Sequence, residues 1–378
     1  MKLTFVAIAL LLIMGAGWWY YQALQTPPAA PAYVANDPVD TEETRDQSAA
    51  IPAVEVIAEN LTVPWEVVFL PDGELLVTQR PGTLLLLKEG ISIPVEGVRH
   101  VGEGGLLGAA LHPDFSENNW LYLYQTTETE NGLRNRVNRY ELVGSDLRLE
   151  STVVDDLPGA RYHDGGRIAF GPDGYLYVAL GDAGNEPAAL DEQLLEGSIL
   201  RYTADGAIPS SNPYGNAVYS YGHRNPQGLA WDDAGRLWSS EHGRSGASSG
   251  FDEINLIEAG ANYGWPESEG DEVADGTYGP VRHSGTATTW APGDIVYHDG
   301  SLYMPGLRGR TLYEAVLDGS EIIAWHEHVV EAYGRLRTVV VGPDGLLYLT
   351  TSNRDGRGVP ASTDDRLIRI DPAQLDRS

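Results

Sequence analysis

One short pattern recurs six times along this chain, and it constrains the fold more than any other feature. An apolar or small residue leads into Pro-Asp-Gly or a variant of it, and an alternating apolar run follows. The first copies are Leu70-Pro71-Asp72-Gly73 before Leu75-Leu76-Val77, and His112-Pro113-Asp114 before Trp120-Leu121-Tyr122-Leu123. Gly171-Pro172-Asp173-Gly174 precedes Tyr175-Leu176-Tyr177-Val178, and Asp232-Asp233-Ala234-Gly235 precedes Leu237-Trp238. The last two are His298-Asp299-Gly300 before Leu302-Tyr303-Met304, and Gly342-Pro343-Asp344-Gly345 before Leu346-Leu347-Tyr348-Leu349. Proline presets φ and glycine accepts positive φ, so the motif is a turn joining two strands. The runs that follow are rich in Val, Leu and Tyr, as half-buried sheets prefer.

The aspartates at 72, 114, 173, 233, 299 and 344 are separated by 42, 59, 60, 66 and 45 residues. Self-similarity at that period predicts an all-β, six-bladed propeller with four-stranded antiparallel blades. A β-sandwich with common turns is the plainer alternative, and six copies over nearly the whole domain argue against it. Helix is expected to be scarce, with one short helical turn within 189–196. In a propeller the functional residues belong in the loops between the repeated hairpins, where they gather at one face of the central channel.

The chain has 378 residues and a formal charge of −29. So acidic a surface argues against nucleic acid and anionic membrane surfaces as partners. The only lysines are Lys2 and Lys88, so nearly all positive charge is arginine. Cysteine is absent, which excludes disulfides and thiolate metal sites. Residues 1–21 hold an apolar run from Leu3 to Tyr21 ending in Trp18-Trp19-Tyr20-Tyr21, read as a membrane anchor or signal peptide. Residues 22–52 are rich in Pro, Ala, Asp, Glu and Thr, and read as a flexible linker. Residues 53–373 are the propeller and 374–378 a short tail. Either reading of the N-terminus places the domain outside the cytoplasm.

Several loops between the repeats carry chemistry-bearing residues. Tyr162-His163-Asp164-Gly165-Gly166-Arg167 leads into the third repeat and Leu180-Gly181-Asp182 leaves it, so one hairpin can bring His163 and Asp182 together. A carboxylate that accepts the Nδ1 proton leaves Nε2 free to act as a base. A structural histidine and a turn aspartate would give the same pattern. Arg224 and Asn225 lie in Tyr221-Gly222-His223-Arg224-Asn225-Pro226, before the fourth repeat. Arg308 follows the fifth, and Arg335 and Arg337 precede the sixth. On a strand, positions two apart share a face, so Arg335 and Arg337 would present two guanidiniums together. That arrangement suits a bound anion, or a solvated face bridged by some of the acidic residues. Gly102-Glu103-Gly104-Gly105-Leu106-Leu107-Gly108 lets backbone approach a ligand closely but lacks the Lys and Ser/Thr of a phosphate loop. Ser240-Glu241-His242-Gly243-Arg244, with Asp252, Glu253 and Tyr263 beyond, offers oxygen ligands of the kind calcium takes, or simply loop polarity.

Taken together, these blocks resemble the soluble quinoprotein aldose sugar dehydrogenases of the glucose/sorbosone dehydrogenase family. The resemblance rests on residues 102–108, Leu111-His112-Pro113-Asp114-Phe115, 163–167, 180–182, 222–229, 252–257 and 262–266, in order over essentially the whole domain. It implies a six-bladed propeller that uses pyrroloquinoline quinone (PQQ) and calcium to oxidise the C1 hydroxyl of aldoses to lactones, passing electrons to an external acceptor. It implies that His163 is the general base, that Asp182 orients it, and that Arg224 stabilises charge on the reduced quinone. It implies that Glu103, His163, Arg224, Asn225, Arg308, Arg335 and Arg337 contact the cofactor. Gly243 and Arg244 would bind calcium through their carbonyls, and Glu253 and Tyr263 a second calcium.

Three positions depart from the family pattern. Glu103 stands where better-known members place glutamine, and a carboxylate there would repel PQQ unless protonated or paired. Arg244 stands where proline is frequent, and Arg308 where some members have lysine. Two rival readings are a calcium-dependent propeller lactonase, which would not need the arginines, and a non-catalytic sugar- or protein-binding propeller.

Overall fold

The computed structural model describes residues 53–244 and 250–377, together with the backbone of Ala32–Tyr33. The anchor or signal segment lies outside the described residues. No helix among the described residues is long and apolar enough to cross a membrane.

Six antiparallel sheets follow one another along the chain, as the repeat predicts. Blade 1 is Pro64–Phe69, Leu75–Gln79, Thr83–Leu86 and Ile91–Pro94, and blade 2 runs from Leu106–Leu111 to Asp146–Pro158. Blade 3 runs from Ile168–Phe170 to Val218–Tyr221, blade 4 from Pro226–Trp231 to Arg282–His283, and blade 5 from Val296–His298 to Glu321–His328. Blade 6 takes Leu336–Val341, Leu347–Thr351 and Leu367–Ile370 from the end of the chain and Val54–Glu59 from its beginning. Val54 pairs with Ile370 and Val56 with Ile368. The ring is therefore closed by main-chain hydrogen bonds between the two ends of the domain, which leaves no open seam. Ala32–Tyr33 adds a fifth strand at the outer edge of this blade, within the stretch expected to be linker, whereas the other five have four.

The repeated motif sits at one fixed place, the turn between the first and second strands of a blade. Gly73, Gly174, Gly235 and Gly345 have φ between 76° and 84°, and each N–H bonds the carbonyl three residues earlier. The motif aspartates 72, 173 and 344 accept the N–H two residues on, at 2.9–3.2 Å. The other two copies solve the same turn differently. Residues Phe115–Asn118 form one helical turn after Asp114, and Asp299-Gly300 both take positive φ in a two-residue hairpin. The helical turn expected within 189–196 lies slightly earlier, as a 3-10 turn at Glu186–Leu190.

The core is a set of apolar wedges between neighbouring blades. Leu76, Leu84 and Leu86 of blade 1 pack on Leu106, Leu121 and Leu123 of blade 2, all buried. Each such side chain contributes roughly 1.5–3 kcal/mol. The tail is docked as well: Arg377 Nε bonds the buried Glu314 carboxylate of blade 5 at 3.0 Å.

Candidate active site

The site-forming loops emerge at the end of the blades opposite the Pro-Asp-Gly turns, because they join the second strand to the third, or one blade to the next. The loop carrying His163 runs from Asp146–Pro158 to Ile168–Phe170. His163 is held in the left-handed region, φ 59°. Its carbonyl accepts the Ala183 N–H at 3.2 Å, and its N–H donates to Glu103 Oε2 at 2.9 Å. A Cβ at Gly181 would come 2.1 Å from the His163 carbonyl oxygen, so only glycine allows this approach.

The hairpin brings His163 and Asp182 together, with Nδ1 2.7 Å from Oδ1. Asp182 is fully buried. Its Oδ2 accepts the Trp265 indole N–H at 2.9 Å, and Oδ1 also takes the Gly184 N–H at 2.8 Å. Burial pushes its carboxyl up, but His163 and these donors outweigh burial and hold it below its usual range. On the other side of the ring, Arg224 Nη2 lies 2.9 Å from Nε2. A guanidinium can only donate, so Nε2 is the acceptor and Nδ1 carries the proton that Asp182 receives. The contacts thus fix the tautomer that leaves Nε2 basic.

Arg224 is itself buried and packed 5.3 Å over the Trp265 ring. Its N–H donates to Glu241, whose Oε2 lies 2.8 Å from His223 Nδ1, and His223 Nε2 lies 2.9 Å from Ser220 Oγ. Asn225 accepts the Gly165 N–H at 3.0 Å, tying the Arg224 loop to the His163 loop. Burial lowers the Arg224 pKa against the opposing pull of Asp182, Glu241 and Glu103.

Two adjoining cavities open at this point. The larger, about 660 Å³, is lined by His163, Arg224, Tyr162, Trp265 and Glu186. The smaller, about 250 Å³, is lined by Arg308, Arg335, Arg337, Gln227 and His242. Glu103, Arg244 and Arg357 border both. Arg335 lies just before the strand Leu336–Val341 and bonds Asp355 Oδ2 at 2.8 Å through Nη2 and the Leu307 carbonyl at 3.2 Å. Arg337 is buried and donates to Gln227 Oε1 at 3.0 Å, while its Nε finds no acceptor among the described residues. Burial, reinforced by Arg80, pushes Arg337 down to about 9. Arginine stays charged in proteins, so the shift measures the cost of an under-compensated buried cation. His242 Nε2 is likewise buried without a partner, and burial pushes the imidazole down to about 3.

Gly243 and Arg244 border the smaller cavity. The buried Asp252 fixes this turn, accepting from Gly243 N–H at 3.0 Å and from Trp290 N–H at 2.6 Å. The Arg244 carbonyl accepts one bond, from Gly250 N–H at 3.3 Å, and its side chain pairs with Glu269 at 2.6 Å. Glu253 faces a small space shared with Glu241 and Glu269, and burial with the Glu241 charge pushes it up to about 8. The Tyr263 hydroxyl is committed to the Leu256 carbonyl at 2.6 Å, so only its main-chain oxygen remains as a ligand. Among the described residues, no cluster of three or more His, Asp or Glu side chains has metal-holding geometry.

The structure therefore places His163 and Arg224 on one cavity, with the buried Asp182 and Asn225 behind them, and Arg308, Arg335 and Arg337 on its neighbour. Glu103 is neither protonated nor unpaired. Burial raises its carboxyl, but Arg357 at 2.8 Å and the His163 N–H outweigh that and hold it at about 2. Sequence reasoning gave no role to Trp265, Gln227, His242, Asp355 or Arg357. Trp265 sits inside a block already singled out, Asn-Tyr-Gly-Trp-Pro, but the indole's partner is 83 residues away and leaves no local signal.

The Glucose / Sorbosone dehydrogenase family model matches residues 61–368. The aldose sugar dehydrogenase YliI of Escherichia coli is 33% identical over 344 residues, covering 80% of this chain and 91% of that one. Among solved structures, a putative oxidoreductase (glucose dehydrogenase) from Thermus thermophilus matches with TM-score 0.79 and 44% identity, over 84% of this chain and 98% of its own. The PQQ-bound aldose sugar dehydrogenase of Streptomyces coelicolor matches with TM-score 0.77 and 41% identity, over the same shares.

Proposed function

The chain belongs to the glucose/sorbosone dehydrogenase family, and from that premise we propose that it is a PQQ- and calcium-dependent dehydrogenase that oxidises the C1 hydroxyl of aldoses to lactones. The observation that carries the proposal is the pairing of a base-ready His163 with an adjoining arginine cradle. The cradle fits a polyanion. Arg337 is buried with its charge under-compensated, and a carboxylate would supply the missing partner. Arg308 and Arg335 border the same space. PQQ carries three carboxylates and, when bound, supplies the two-electron acceptor for hydride from C1.

The chain's own residues do the rest. Once Arg224 turns from Nε2 to the substrate oxygen, Nε2 of His163 takes the hydroxyl proton, and Asp182 compensates the imidazolium that forms. Arg224, already at Nε2, is placed to offset negative charge as the proton leaves. Asn225 keeps these two loops in register. The carbonyls of Gly243 and Arg244 are the proposed calcium ligands beside the cradle. Glu253 and the Tyr263 carbonyl are the proposed second site, on the small space that Glu241 and Glu269 also line. Substrate would reach the site outside the cytoplasm, and an external acceptor would reoxidise the cofactor.

Purified protein supplied with PQQ and calcium should reduce a dye in the presence of aldoses. Absence of turnover together with lactone hydrolysis would point to the lactonase instead. His163→Ala should lower kcat by about 10³-fold or more while PQQ still binds, as expected for loss of a general base; loss of binding would contradict the assignment.

A further inference from the structure

Arg357 belongs to the segment 352–365, which follows the second strand of blade 6, and it reaches the catalytic loops. Its Nη2 lies 2.8 Å from Glu103 Oε1, while Glu103 Oε2 accepts the His163 N–H at 2.9 Å. The Glu103 N–H also donates to the Arg161 carbonyl at 2.9 Å. A Cβ on the preceding Gly102 would come 1.9 Å from that same oxygen, so glycine is needed for the two loops to meet. Arg357 is anchored in turn. Its N–H donates to Asp355 Oδ1 at 2.8 Å, and Asp355 Oδ2 holds Arg335. A continuous path, Arg335–Asp355–Arg357–Glu103–His163, thus crosses from the sixth blade to the third along the border between the two cavities.

His163 needs such support. A non-glycine residue in the left-handed region is strained, because its Cβ crowds the following carbonyl. A hydrogen bond from its N–H to a charged acceptor offsets that strain. The acceptor must be held in rotation to serve, and Arg357 grips the oxygen that His163 does not use.

We propose that Glu103 and Arg357 are a positioning pair for His163: Arg357 fixes the Glu103 carboxylate so that it holds the His163 main chain, and their opposed charges tune the imidazole. The proposal rests on His163 being the base. The charged or titratable groups facing His163 are Asp182, Arg224, Glu103 with Arg357 behind it, Asp164, Tyr162 and His242.

The test uses the full chain in two arms. In the metal- and cofactor-free protein, the His163 imidazole is titrated by NMR. Glu103→Gln keeps an acceptor but removes an anion, so the imidazole pKa should fall by about 0.5–1 unit; Arg357→Ala removes a cation, so it should rise by a similar amount. In the PQQ- and calcium-loaded enzyme, Glu103→Ala should lower kcat about 10–100-fold with KM changed less than about threefold, whereas Glu103→Gln, which keeps an acceptor for the His163 N–H but turns an amide NH2 toward Arg357, should lower it only about 3–10-fold. Arg357→Ala should lower kcat about 3–10-fold, with Arg357→Lys recovering part of the loss. An unmoved imidazole in both charge variants, or a Glu103→Gln enzyme as impaired as Glu103→Ala, would overturn the proposal. Failure of the wild type to turn over aldoses would instead sink the reading beneath it, and the NMR arm stands apart from that outcome.

Discussion

Two buried arginines pack against one tryptophan, and they do opposite things. Arg167 packs 4.3 Å from the Trp65 ring and Arg337 5.6 Å from it. Both use Gln227: Arg167 Nε donates to its main-chain carbonyl at 2.9 Å, Arg337 to its side-chain oxygen. Arg167 is saturated. It pairs with Glu66 and with Asp294 at 3.1 Å, and donates to the Gly293 carbonyl at 2.9 Å and to Thr338 Oγ1 at 3.2 Å. Those partners come from blades 1, 4, 5 and 6 and from the segments entering them, so Arg167 ties the ring together across the channel. Among the described residues, Arg337 has one neutral acceptor and an orphaned Nε. A buried charge whose partners are all protein is architecture. A buried charge missing a partner is a place for a ligand.

Experiment can separate the two arginines. Arg167→Ala leaves Glu66 and Asp294 buried without a counter-charge and should cost about 3–5 kcal/mol in urea denaturation. A loss under 1 kcal/mol would mean the knot is not structural. Next, Glu66 and Asp294 share one guanidinium, and burial pushes Glu66 up to about 7. A carboxyl raised in the folded state stabilises below its unfolded value and loses that contribution as pH rises through the folded one. From Glu66 alone, stability should therefore decline by up to about 3 kcal/mol between pH 4.5 and 8. Glu66→Gln should lessen the slope without abolishing it, because burial also raises Glu253 and Asp365, while Glu103→Gln should leave it largely intact, because Glu103 is held at about 2.

Arg337→Met should behave unlike Arg167→Ala. The cofactor-free protein should unfold within about 1 kcal/mol of wild type or be more stable, while PQQ affinity falls roughly 30–150-fold, as for loss of a charge-assisted contact of about 2–3 kcal/mol. Calorimetry on one preparation reads both, and a destabilised variant with unchanged affinity would reverse the assignment. The smallest effect is expected at Arg335, which already has Asp355 as a partner. Arg335→Ala should weaken PQQ by about tenfold or less, near 1.4 kcal/mol.

Much of the fold was legible because a propeller writes itself locally. Each Pro-Asp-Gly turn announces a hairpin, and the count of turns is the count of blades. The pairing of His163 with Asp182 was legible for the same reason: a single hairpin, 19 residues apart, joins them. That Arg224 shares a site with His163 was reachable only through a resemblance, and its contact with Nε2 not at all, since 61 residues and a whole blade intervene. Arg335 and Arg337 illustrate the limit. Alternation put them on one face, yet a bulge between Leu336 and Val339 and the approach of Asp355 gave one a carboxylate and left the other short.

By itself the sequence determined the architecture, the number of blades, the face that carries function and the residue types available there. Turn chemistry and strand alternation act over a few residues, so they survive in a linear string. Only the tertiary structure decided which charges are satisfied. Arg357 meets Glu103, Trp265 meets Asp182, and Arg167 rather than Arg337 collects the carboxylates. Such pairings depend on which loops the closed ring brings face to face, and on how much water that closure removes from each group.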